Sequence, residues 1–169
     1  MKKIFAVLMI AILALSTVAF AETYRSDDVK FEYDGKNFEI AMDDRTDDET
    51  TVVLDGTNEA WGATYIRIYV HDLNDGEKFP TMDEFAEMPD TTVTQGEWNG
   101  YKNVFMYTLN NDDGTTQDFF IAPVMDDDGD EVEDLLTVEI STTKIEDEDV
   151  LMERDDLISA VVDSLVVDD

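Results

Sequence analysis

Ala63-Thr-Tyr-Ile-Arg-Ile-Tyr-Val-His71 is the stretch from which the fold is read. Strand side chains alternate with a period of two, so Thr64, Ile66, Ile68 and Val70 fall on one face. Tyr65, Arg67, Tyr69 and His71 fall on the other. The first face asks for a helix packed over it. The second is aromatic and polar and carries the single histidine of the chain, so it is the first place to expect a binding site.

Neighbouring segments read as further strands. Val29 to Met42 predicts a β-hairpin around Asp34-Gly35, a pair suited to a two-residue type I′ turn. In that register Tyr33 faces Lys36, Phe31 faces Phe38 and Val29 faces Ile40. Glu22 to Asp28 reads as an irregular start, Asp43 to Thr50 as an acidic loop, and Thr51 to Leu54 as a short strand. A polar loop with Trp61 leads into the central strand. After it, Thr81 and Glu84 have the spacing of a capping box, which predicts a short helix with Phe85 turned inward and Pro89 at its end. Asn99-Gly100 is a second hairpin signal, followed by strands over 101–109, 116–124 and 135–142. Leu157, Ile158, Val161, Val162 and Leu165 form one apolar stripe at helical spacing. Asp155 and Asp156 then cap the start of this terminal helix, with Val150 and Leu151 as candidates for an extra turn before it. The order gives an α+β class: one domain with a mostly antiparallel sheet, a short mid-chain helix and a C-terminal amphipathic helix packed on it.

Lys2 and Lys3 precede an uncharged run that ends in Ala19-Phe20-Ala21. A basic start, an apolar stretch and an A-x-A site predict a signal peptide over 1–21, cleaved near Ala21. Residues 22–169 then form a single domain that is secreted, periplasmic or held in the cell envelope. The chain has no cysteine, so disulfides contribute nothing to its stability. Without the two leader lysines, nine basic residues face 42 acidic ones, a net charge of −33. Such a surface repels nucleic acid and anionic membranes. It also repels itself, which favours a monomer.

The same composition excludes several chemistries. One histidine and no cysteine cannot build the common zinc sites, and no cysteine nucleophile is present. No G-x-S-x-G elbow, Walker A or G-x-G-x-x-G loop occurs. A carboxylate-based hydrolase stays open as a third reading, but 42 acids make chance pairs inevitable and select no catalytic pair. Calcium is the one cofactor the sequence suggests. Asp126 to Asp134 holds seven carboxylates in nine residues, and calcium takes six to eight oxygens from such loops. Asp126, Asp128, Asp130, Glu131 and Glu133 are the candidate ligands. The alternative is an ordinary turn, since Asp and Gly favour turns for backbone reasons. For a ligand site the candidates are Arg67, Tyr69 and His71, with Trp61 and Trp98 as aromatic contributors if exposed and as core residues if buried.

A Phe31-x-Tyr33 strand, the Asp83-Glu84-Phe85 helix, an antiparallel meander and a terminal helix ending Val162-Asp163-Ser164-Leu165 resemble the PsbP-like fold. That fold is shared with Mog1-like Ran-binding proteins and the small secreted DcrB group. The resemblance implies a binding or assembly role rather than catalysis, and it carries over no functional residue. The leading expectation is therefore a non-catalytic secreted or envelope domain that binds an unknown protein or small ligand. A calcium-dependent surface module is the alternative.

Overall fold

A computed structural model describes residues 21–74, 76–85, 91–126, 128–129 and 131–167; the leader reading and Pro89 lie outside them. Strand β5 (Tyr65–Asp72) alternates as its sequence predicts, with Ile66, Ile68 and Val70 buried and Tyr65, Arg67, Tyr69 and His71 on the opposite face. It is paired antiparallel on both sides. One neighbour is β4 (Glu49–Gly56) and the other β9 (Val132–Thr143).

Beyond β4 lies the edge strand β3 (Phe38–Arg45). Beyond β9 come β8 (Thr115–Met125), β7 (Tyr101–Asn110) and the short edge strand β6 (Thr94–Trp98). The seven strands run in the order β3-β4-β5-β9-β8-β7-β6, and every neighbouring pair is antiparallel.

A second sheet is built from β1 (Ala21–Arg25), β2 (Val29–Asp34) and β10 (Val166–Val167). It shares one apolar core with the inner face of the large sheet. Phe31 of β2 and Ile68 of β5 are both fully buried there. The terminal helix α2 (Glu148–Asp163) adds Ile158, Val161 and Val162 to that layer, while Leu165 just beyond it is buried too. The inner face is thus covered as its apolar set requires, and the architecture is α+β.

Three local expectations are corrected. The Val29 to Met42 hairpin does not form: β2 pairs with β1 and β10, whereas β3 pairs with β4. A type I′ turn needs a positive φ at Gly35, and Gly35 does not adopt one. Instead Asn37 N donates to the Asp34 carbonyl (3.0 Å), closing a turn that hands the chain from one sheet to the other. Residues 21–25 are ordered rather than ragged, because Tyr24 stacks on Phe31 with ring centres 4.8 Å apart. Helix α2 begins two turns before Asp155, with Asp147 as its N-cap accepting from Asp149 N and Val150 N. Asp155 and Asp156 lie mid-helix, and Asp155 pairs with the buried Arg154.

Two other local expectations hold. Thr81 N donates to Glu84 Oε2 (2.6 Å) at the start of α1 (Met82–Phe85), one half of the capping box. Asn99 and Gly100 both take positive φ, 47° and 84°, as a type I′ hairpin requires. Residues 76–85, between β5 and β6, cross the outer face of the large sheet. Phe79 and Phe85 pack on Phe105 with ring centres 5.4 and 4.8 Å apart.

Candidate functional site

The outer face beside that crossing segment carries a cross-strand row set by register. Arg67 on β5 lies opposite Glu139 on β9, Glu139 opposite Phe119 on β8, and Phe119 opposite Tyr107 on β7. Glu139 has a side-chain exposure of 6%, and a buried carboxylate is costly unless paired and hydrogen-bonded. Three side chains supply the partners. Arg67 Nη1 donates to Oε2 at 2.8 Å, Gln117 Nε2 to Oε1 at 2.7 Å, and the Tyr65 hydroxyl also to Oε1. Burial raises the Tyr65 pKa, and its bond to Glu139 adds to the rise. Burial likewise raises that of Tyr107, helped by the Glu139 charge.

Glu139 therefore fixes Arg67 from below while leaving it open above. The Arg67 side chain is 48% exposed and stands 5.7 Å from the centre of the Tyr65 ring, within cation–π range. Beside it, Tyr107 and Phe119 stack at 4.7 Å. The result is a flat aromatic floor with a guanidinium fork aimed across it.

Tyr69 and His71 continue the strip. Their rings lie nearly parallel with centres 6.1 Å apart. The Tyr69 hydroxyl donates to Glu49 Oε1 at 2.7 Å, and its pKa is pushed up to about 12, first by burial and then by that bond. His71 sits between two carboxylates: Nε2 is 3.2 Å from Glu77 Oε2 and Nδ1 is 3.4 Å from Glu49 Oε1. The Nδ1 contact lies outside hydrogen-bond alignment. Glu77 also accepts from Asn74 N at 3.0 Å, and this backbone bond is the main reason its pKa is lowered. His71 and Glu77 thus tie the crossing segment to β5.

Arg67, Tyr69 and His71 come together as the alternation of their strand predicts; the two tryptophans do not join them. Trp61 is fully buried and packs against Phe38 in the core. Trp98 is half-buried and stacks on Phe120 at 4.5 Å, on the inner side of the sheet. Tyr65, Gln117 and Glu139 are the site residues that sequence reasoning missed. Tyr65 carried a signal, because it shares the period-two set with Arg67. Gln117 and Glu139 reach the site only through the pairing of β8 and β9, which their own segments do not announce.

The acidic loop between β8 and β9 is closed by its own bonds. Gly129 N donates to the Asp126 carbonyl (2.9 Å) and Glu131 N to Asp126 Oδ1 (3.1 Å). Asp130 lies outside the described residues. Among the described residues, no three of His, Asp and Glu come together in an arrangement able to hold a metal ion, so Asp128, Glu131 and Glu133 form no such cluster with Asp126. Among the same residues, no helix is long and apolar enough to cross a membrane. No protein-family model matches the chain, and no curated protein matches it with significance.

Proposed function

We propose that the chain is an exported, non-catalytic binding domain that takes its ligand on the Arg67–Tyr69 face. Its leader-like start supports export, and its resemblance to the PsbP-like and Mog1-like proteins supports a binding or assembly role. The observation that carries the site is the Glu139–Arg67 pair, 6% and 48% exposed. A protein with 42 acidic residues holds a half-exposed guanidinium beside the Tyr65 ring. A bonded, preorganised arginine presents its remaining N–H groups in a fork that matches a carboxylate or peptide carbonyl. Tyr65 and Tyr69 offer ring surface but have committed their hydroxyl protons to Glu139 and Glu49. The ligand that fits is a small acceptor-rich molecule with a flat apolar part, such as a peptide ending in an aromatic residue with a free carboxylate.

The test is an amide chemical-shift titration of residues 22–169 with N-acetylphenylalanine and, separately, with its amide. The carboxylate should shift Arg67, Tyr69, Gln117 and Glu139 more than the amide does, and Arg67→Gln should remove the difference. Shifts confined to the terminal helix, or unaltered in Arg67→Gln, would overturn the reading.

A further inference from the structure

The turn between β6 and β7 meets the end of the terminal helix, and its chemistry differs from that of the Arg67 face. Asn99 and Gly100 take φ of 47° and 84°, with Trp98 and Tyr101 paired on either side of them. Seven asparagines occur in the chain, and Asn99 alone is followed by glycine. Glycine has no Cβ, so no side chain shields its amide nitrogen from the carboxamide that precedes it. Asn99 is therefore the asparagine whose Cγ is most open to attack by the main chain.

The packing holds that carboxamide in place. Asn99 Nδ2 donates to the Val162 carbonyl at 2.8 Å and to the Leu165 carbonyl at 3.4 Å. These two bonds latch the hairpin to the last turn of α2. The same helix end is closed by Ser164 N on the Ala160 carbonyl (3.3 Å) and Leu165 N on the Val162 carbonyl (3.1 Å). Ser164 Oγ in turn accepts from Glu32 N at 2.8 Å, which ties the end to β2. Reaction requires the Asn99 amide to leave these partners and turn over Gly100 N.

We propose that Asn99 is a site of spontaneous deamidation, and that loss of its amide unlatches the end of α2 from the hairpin. Gly100 N attacks Asn99 Cγ and forms a C–N bond. The Cγ–Nδ2 bond breaks, and ammonia leaves with the proton given up by Gly100 N. Water then opens the cyclic imide at either carbonyl, which leaves aspartate or isoaspartate. Water is the only co-reactant, and nothing is oxidised or reduced. The aspartate carboxylate has no N–H to donate. It faces two carbonyl oxygens at the negative end of a helix, where an anion is disfavoured. Isoaspartate also lengthens the main chain of a two-residue turn, whose type is set by its length. The ammonia does not return, so the change runs one way.

The test ages residues 22–169 at mildly alkaline pH and locates each amide-to-acid conversion by peptide mapping and mass spectrometry. Asn99 should convert ahead of the other asparagines. The converted protein should unfold at a lower temperature than fresh protein, and the amides of Ser164 and Leu165 should exchange with solvent faster. Asn99→Asp should reproduce both effects without ageing. Ser164→Ala leaves the Asn-Gly pair intact and loosens the helix end. It should speed conversion by about fivefold, the factor by which loss of one ordinary hydrogen bond raises an opened population. Conversion first at another asparagine would overturn the site. An unchanged rate in Ser164→Ala, or a converted protein as stable as the fresh one, would overturn the latch.

Discussion

Glu139 accepts from Arg67 across 2.8 Å, yet the two side chains live in different solvents, one 6% and the other 48% exposed. The asymmetry fixes what each contributes. Arg67→Ala removes an ion pair whose cationic half is wet, and such pairs are worth about 0.2–1 kcal/mol. Glu139→Ala leaves three donors without an acceptor: Tyr65, Gln117 and Arg67. It should cost about 2–3 kcal/mol. Urea unfolding of the two variants at constant slope measures the difference. Equal losses would mean that Glu139 does not organise the site.

Asn99 joins the hairpin to the terminal helix. Its φ of 47° lies in the left-handed region, and its side-chain amide donates to the carbonyls of Val162 (2.8 Å) and Leu165 (3.4 Å). Asn99→Ala loses both the tolerance for that backbone and the bonds that finish α2, at about 1–2 kcal/mol. Asn99→Gly keeps the backbone and loses only the bonds, so about half the cost should return. If the glycine variant is no more stable than the alanine one, backbone strain plays no part in the turn.

The two Xaa-Gly pairs also show what was legible in the sequence. Asn99-Gly100 joins strands whose partners are each other, so local turn chemistry decides the outcome. Asp34-Gly35 carries the same local signal, but β2 finds its partner in β10, over 130 residues away in sequence. A dipeptide preference names a turn; it does not say which sheet follows. The central strand was legible because its alternation is a property of nine consecutive residues. Half of the site was legible with it, since Arg67, Tyr69 and His71 share that alternation. Glu139 and Gln117 were hidden among acids and polar residues of similar pattern, and only β8–β9 register lifts them out. The start of α2 was hidden for a related reason. Glu146, Asp147, Glu148 and Asp149 are four adjacent acids, any of which suits a helix start, and the packing of Arg154 against the Thr143 carbonyl (2.7 Å) goes with Asp147 as the cap.

The acidic surface gives a prediction about salt. At the net charge of −33 carried by residues 22–169 self-repulsion opposes the compact state, and added ions screen it over a Debye length of about 10 Å at 0.1 M. Thermal unfolding of residues 22–169 should therefore shift upward in sodium chloride. Calcium at matched ionic strength should give the same shift, because Asp126 is already occupied by the turn it closes. A rise specific to calcium and reversed by chelator would instead make the 126–133 loop a cation site. Ligand at a hundred times its dissociation constant adds about 2.7 kcal/mol, well above the scatter of such a measurement.

Tyr69 supplies the pH dependence of the site. Its pKa is raised from 10.0 to about 12, first by burial of the hydroxyl and then by donation to Glu49. Folding therefore favours the protonated phenol. The resulting stability is fully present below pH 10, where both states are protonated. It declines as pH rises toward 12, because the unfolded chain releases its proton first. Tyr69→Phe removes this linkage and should flatten the fall in unfolding midpoint across that interval relative to the wild type. The tyrosinate absorbance near the upper end of the titration should shrink in parallel. Glu49→Gln separates the two causes: it removes the carboxylate while leaving the ring in place, so the Tyr69 titration should move partway back toward 10. No movement would leave the Tyr69–Glu49 bond without influence on the pH response of this face.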